Sequence, residues 1–252
     1  MIRILIAGLI AMTIAAGTAF ANDISRHKVW DDLLETYVVE HADGVNRFDY
    51  GGLKSSARDV AALNAYLDSF EELDFETLSQ AEQYAAWANI YNALTIQHMI
   101  GRYPVKSIKS GSLFGPWKKV KTVVDGKAIS LDAIEHQVLR PMGDPRIHYA
   151  INCASYGCPN LRSDAWVAET LDEDLDAAAQ AYINHKRGVA IRSKGGLQVS
   201  EIYKWFEEDF GGSEESVIAH LLEYANPVLA AEIRANADIR KYDYDWSLND
   251  AK

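Results

Sequence analysis

Cysteine is scarce: the 252 residues hold two, Cys153 and Cys158. One pair is too few for a disulfide framework, and its spacing is not the two-residue spacing of common zinc sites or redox motifs. No glycine-rich phosphate loop and no Gly-x-Ser-x-Gly elbow occur, so nucleotide binding and a serine nucleophile have no support. Basic residues are outnumbered, 25 Lys and Arg against 36 Asp and Glu, for a formal charge of −11. That balance argues against nucleic acid and against an anionic membrane as partners. Beyond residue 21 no apolar run approaches the ~18 residues of a spanning helix. Glycine, serine and proline gather into no linker, and no repeat is visible, which predicts one domain over residues 22–252.

The first 21 residues read as a secretory signal peptide. Arg3 supplies the positive start, Ile4 to Ala16 the apolar run, and Ala19-Phe20-Ala21 the small-x-small cleavage site. The expectation is a protein released into a bacterial periplasm or secreted, with no membrane contact after cleavage.

Apolar periodicity predicts a helix over 27–41, with Trp30, Leu33, Leu34, Tyr37 and Val38 on one face, an extended piece over 46–50, and a helix over 57–72. Ser79-Gln80-Ala81-Glu82 is a capping box, and the helix it opens should run to Arg102, before Pro104. That helix is apolar on nearly every side, so it belongs in the core. Asparagine inside it at 89 and 92 is costly to bury without partners. Trp87 and Tyr91, four apart, pack in the core or wall a pocket. Asp125-Gly126 predicts a hairpin between 118–124 and 127–130. Ser130 caps a helix to Arg140, which carries Glu135 and His136. A helix over 172–187, strands at 189–192 and 197–200, helices near 201–209, 214–225 and 228–235, and a late strand with an ordered aromatic tail complete the chain. The order is α+β, mostly helical, with a central buried helix on a small, largely antiparallel sheet.

Chemistry concentrates in RIHYAINCASYGCPNL, residues 146–161. Ile147 to Ile151 reads as a short buried strand that breaks into a loop of thiol, hydroxyl and amide groups. Cys153 is the candidate nucleophile and His148 its candidate base, though residues of odd separation on a strand face opposite sides. Glu135 or Asp245 could orient the imidazole. The competing reading is a structural Cys153–Cys158 disulfide, which an oxidising compartment favours. No metal site and no cofactor is predicted. A small molecule or peptide is the expected partner.

The segments AAWANIYNALTI, SLDAIEHQVLR, DPRIHYAINCASYGCPNL and YDYDWSLN resemble the DUF547 family over about residues 48–249. The resemblance marks Trp87, Asn89, Tyr91 and Asn92 in the helix, then Glu135, His136, Leu139 and Arg140, then His148, Cys153, Ser155, Cys158 and Pro159. Trp87, Asn89, Asn92, Arg140, Ser155 and Cys158 are the candidate binding residues. The family often has histidine where Gln97 stands, and His98 is one place on. The resemblance implies no activity; the family also occurs in plant proteins attached to leucine-zipper segments. A papain- or transglutaminase-like arrangement is an analogy of element order. Those folds place the cysteine at the start of the central helix, where this chain has Gln83 and Ala86.

Overall fold

The computed structural model describes residues 22–252; the predicted signal peptide lies outside them. A first helix, α1, covers 22–37. It stops where Val38–Val39 (β1) pairs antiparallel with Arg47–Phe48 (β2). The predicted face of Trp30, Leu33, Leu34 and Tyr37 is buried, but Val38 belongs to the strand. Helices α2 (Tyr50–Ser55) and α3 (Ala57–Asp68) follow, capped by Asp49 and Ser56.

Helix α4, Gln80–Arg102, is the centre of the fold. Its capping box closes as predicted: the Glu82 amide donates to Ser79 Oγ at 3.3 Å, and the Ser79 amide to Glu82 Oε2 at 2.8 Å. Every residue from Tyr84 to Ile96 is buried, which is why the sequence shows no polar face. Helices α2 and α3 and residues 134–139 pack around it.

The hairpin β3 (Lys121–Val124) and β4 (Lys127–Ser130) turns at Asp125 and Gly126, both at positive φ, as a tight two-residue loop requires. Ser130 caps α5, Leu131–Ala133, by accepting from the Ala133 amide. The helix then widens over Ile134–Leu139, where the Arg140 amide reaches back five residues to the Glu135 carbonyl. Such widened turns occur mostly as single insertions and often at functional sites.

Residues 147–151 are not the expected strand. Ile147–Ala150 form one helical turn, α6, with the Ile151 amide bonded to the Ile147 carbonyl at 3.2 Å. Asp144 Oδ1 accepts the Arg146 amide and starts the turn. All four side chains are buried, so the apolar run carried no period that separates strand from helix. The odd-spacing objection to His148 and Cys153 therefore lapses.

Helix α7 (Leu171–Ile183) leads to β5 (Val189–Ile191) and β6 (Leu197–Ser200), an antiparallel pair. Then come α8 (Ile202–Trp205), α9 (Glu214–Tyr224), α10 (Pro227–Ala235) and β7 (Ile239–Asp243). Strand β7 lies parallel to β6; the other pairings among the named strands are antiparallel. The fold is α+β, with its strands split among three small sheets.

Two apolar cores meet at α6. Ile147 packs with the core around α4, while Tyr149 packs with that of β5, β6, α7 and α9. His148 stands between them, at the seam. The C-terminal tail ties the seam to the N-terminal half. The Tyr156 amide donates to the Ser247 carbonyl, that of Asn249 to Ala154, and that of Phe48 to Asn249.

Candidate functional site

A cavity of about 680 Å³ opens beside the cysteine loop. Tyr91, Trp117, Trp205, Phe206, Tyr244 and Trp246 supply aromatic walls, and Glu135, His136, His148, Cys153 and Cys158 also face it. An aromatic cavity with a few convergent polar groups is the usual form of a small-ligand site. Among the described residues no helix is long and apolar enough to cross a membrane, and no cluster of His, Cys, Asp and Glu could hold a metal ion.

The cysteine loop is fixed from behind. Asn92 of α4 donates to the Ala150 carbonyl at 2.9 Å and accepts the Asn152 amide at 2.7 Å. Asn152 in turn accepts the Ala154 amide and donates to the Pro159 carbonyl. Ala154 sits at φ +62°, unusual for a residue with a side chain, and these bonds hold it there. A Cβ at Gly157 would lie 2.8 Å from the Asp245 amide nitrogen, so the tail approaches where only glycine fits.

Cys153 and Cys158 form a disulfide, their Cα atoms 6.4 Å apart, within the ordinary range. Cys153 is part-exposed and Cys158 buried. The Cys153 amide donates to Cys158 Sγ at 3.0 Å, and the Tyr244 hydroxyl lies 3.2 and 3.0 Å from the two sulfurs. Bonded sulfur can only accept, so the Cys153 amide is one donor and the Tyr244 hydroxyl, whose single proton the two sulfurs share, is the other. In this state neither residue offers the thiolate that nucleophilic attack needs.

His148 stacks on Phe206, ring centroids 4.1 Å apart. Its Nε2 lies 2.7 Å from Asp209 Oδ2. A carboxylate only accepts, so Nε2 carries the proton and Nδ1 is the basic nitrogen of the neutral ring. Arg140 grips the same carboxylate with two bonds, 2.6 and 2.9 Å. Burial by itself would raise the Asp209 carboxyl, but the bonds from His148 and Arg140 outweigh it and hold the group below the usual range. Burial lowers His148 and outweighs the pull of Asp209, so the ring stays neutral near pH 7.

Glu135 is buried, and burial raises its carboxyl to about 7. The Tyr91 hydroxyl donates to it at 3.2 Å and opposes the rise. Glu135 does not orient His148, and neither does Asp245, whose side chain accepts the Ser247 amide. The orienting carboxylate is Asp209, which no local pattern in Glu207-Glu208-Asp209-Phe210 sets apart from a solvated acidic stretch.

The remaining sequence candidates divide. Asn89 bonds both backbone groups of Trp166, at 2.8 and 3.0 Å, away from the cavity. Trp87 packs on Phe75, whereas Tyr91 reaches the cavity wall. Arg140 acts on the cavity through Asp209. Ser155 is buried behind the loop, bridged through its backbone to Leu248. Gln97 donates to Asn64. Tyr244 and Trp246, from the aromatic tail, also line the cavity, as do Trp205 and Phe206, which no local sequence pattern marks as lining residues.

No curated protein and no solved structure matches the chain, so the papain- or transglutaminase-like analogy has no counterpart in that comparison. A family model does match. Residues 75–183, from the entry to α4 through the cysteine loop to the end of α7, fit the model described as "Protein of unknown function, DUF547". That stretch, which carries Tyr91, Asn92, Glu135, His148 and both cysteines, is where the chain is similar to the DUF547 family.

Proposed function

We propose that this domain binds a small molecule or a peptide side chain in the aromatic cavity, and that the Cys153–Cys158 disulfide serves as a staple in its wall. The observation that carries this reading is the disulfide itself: it occupies the one thiol that faces the cavity part-exposed. The ligand has an apolar body and a single hydrogen-bonding group. The body suits the rings of Trp117, Trp205, Phe206 and Trp246, and the polar group suits Glu135 or His148. Export through residues 1–21 belongs to the same proposal, because an oxidising compartment keeps the staple closed.

Three tryptophans on the wall give a direct test. Indole and medium-chain fatty acids, titrated into the unreduced protein, should change its tryptophan fluorescence saturably. Phe206→Ala should weaken the effect. A flat titration for every apolar probe sinks the reading. Intact mass after alkylation without reductant should show no added label, and a mature chain should start at Asn22.

A second reading rests on the His148–Asp209 pair. With the disulfide reduced, His148 Nδ1 could take the Cys153 proton, and the thiolate could attack an amide or thioester carbonyl. The C–N or C–S bond would break, the amine or thiol would leave with the proton held on His148, and the acyl group on Cys153 would pass to water or to an acceptor. Reduced protein should then alkylate quickly near pH 6, and His148→Ala should remove that phase. One alkylation pKa near the ordinary ~8.5 would dispose of the dyad.

A further inference from the structure

The acidic balance of the chain is not evenly spread. From Arg102 through Val124 there are six basic residues, Arg102 included, and no acidic one. Lys106, Lys118, Lys119 and Lys121 are exposed. The lysine ion pairs of the described residues fall elsewhere, on Lys28, Lys127, Lys241 and Lys252. At the centre of this basic stretch Leu113 and Phe114 are 88% and 90% exposed, the two most exposed large apolar side chains described.

The base of the loop that carries them is anchored. The Arg102 guanidinium donates to the Ser110 carbonyl, Lys109 Nζ lies 4.2 Å above the Trp246 ring, and Trp117 packs edge-on against Trp246. The Ser112 hydroxyl donates to the Gly115 carbonyl and closes the tip. The apolar pair is therefore presented from a held base. Phe114 also lines the mouth of the cavity, while the carboxyls of Asp132 and Glu135 lie on its lining rather than on the loop.

An exposed Leu-Phe tip flanked along the chain by exposed lysines that make no ion pair among the described residues matches one kind of surface: apolar side chains enter the acyl boundary while the cations meet anionic headgroups. We propose that loop 109–117 docks this protein on an anionic lipid bilayer, with the cavity mouth facing the membrane. The formal charge of −11 points away from such a surface. Screening makes the local charge decide, because charges beyond about 8 Å contribute little at physiological salt. This inference stands whether or not the cavity holds a ligand.

The test uses the protein as residues 22–252, the described residues that carry both cores, and sedimentation with vesicles. Vesicles of phosphatidylglycerol mixed into phosphatidylcholine should carry the protein down; phosphatidylcholine alone should not, and high salt should release it. Lys118→Glu with Lys119→Glu, and separately Leu113→Ser with Phe114→Ser, should each weaken partition about tenfold. Melting temperatures should match the parent, so lost binding is not lost folding. Equal binding to both vesicle types, no binding to either, or insensitivity to both pairs of substitutions overturns the proposal. Binding to duplex DNA unaffected by Leu113→Ser with Phe114→Ser, without vesicle binding, would make the stretch a polyanion site and also overturns it.

Discussion

Along the wall formed by residues 152–159 the backbone is tied at nearly every step, whereas at the mouth Leu113 and Phe114 meet water with most of their surface. Asn92 holds the start of the wall. Tyr182 donates to the Gly157 carbonyl, and Arg187 donates to the carbonyls of Tyr156 and Cys158. Two parts of one cavity thus have opposite economies of contact. The wall is a place where removing one atom leaves several others unsatisfied; the mouth is a place where removing a whole side chain leaves nothing behind. Stability should follow the wall, and recognition can vary at the mouth without a folding penalty.

The hardest break is Asn92→Ala. It leaves the Asn152 amide and the Ala150 carbonyl without their amide partner inside the core. Trp166 Nε1 also reaches Ala150 and softens the second loss. At ~1–3 kcal/mol for each unsatisfied buried group, the expected loss is roughly 4 kcal/mol, read by chemical denaturation. A loss below about 1 kcal/mol would mean that the wall does not depend on α4.

Glu135 gives a break that depends on pH. Its folded carboxyl lies at about 7, above its ordinary 4.5. A raised carboxyl contributes fully below the unfolded value and loses that contribution as pH rises through the folded one. Between pH 4.5 and 7 the carboxylate should therefore cost the fold roughly 3 kcal/mol. His220, held by burial at about 4 against an ordinary 6.5, works the other way. Its contribution is present above 6.5 and lost as pH falls through 4. In the wild type the two slopes oppose each other across pH 4.5 to 6.5. In Glu135→Gln the slopes of the lowered histidines, His220 and His148, should remain unopposed, so stability should climb with pH. A Glu135→Gln profile parallel to wild type would place Glu135 in a wetter site than its burial indicates.

The staple comes next. Closing so short a loop is worth about 2 kcal/mol in the chain-entropy account. Cys153→Ser and Cys158→Ser should lower the melting temperature by similar amounts, because either removes the same bond. A much larger loss for Cys153 alone would contradict a structural disulfide.

What was legible in the sequence divides along the same line. The capping box at Ser79 and the Asp125-Gly126 turn are local devices, and both elements formed where their residues stood. The cysteine motif also pointed to the cavity, since Cys153, Cys158 and His148 line it together. The misreadings are non-local. Residues 147–150 are buried on all sides by two different cores, which erases the periodicity that distinguishes a turn of helix from a strand. Asp209 meets His148 across 61 positions of chain. Nothing in its own neighbourhood distinguishes it from the acidic residues beside it. The widened turn after Ala133 likewise has no residue-level signature, although it sets Glu135 against α4.

The smallest effect belongs to the mouth, and it sharpens the comparison most. Leu113→Ser and Phe114→Ser remove the two most exposed large apolar groups described from a loop tip that makes its own turn through Ser112 and Gly115. At 88% and 90% exposure, neither ring nor isobutyl group buries enough area to matter. Surface substitutions of this kind usually stay within about 0.5 kcal/mol, and removing apolar surface from water can tip the sign towards stability. The double variant should therefore melt within a degree or two of the parent, by the usual conversion of ~0.5 kcal/mol at this chain length. Calorimetry of the two proteins side by side decides it. A loss approaching that of the staple would mean that the tip packs on something in solution, such as the cavity or a second copy of the chain. The contrast between a tied wall and a free mouth would then fail at the mouth.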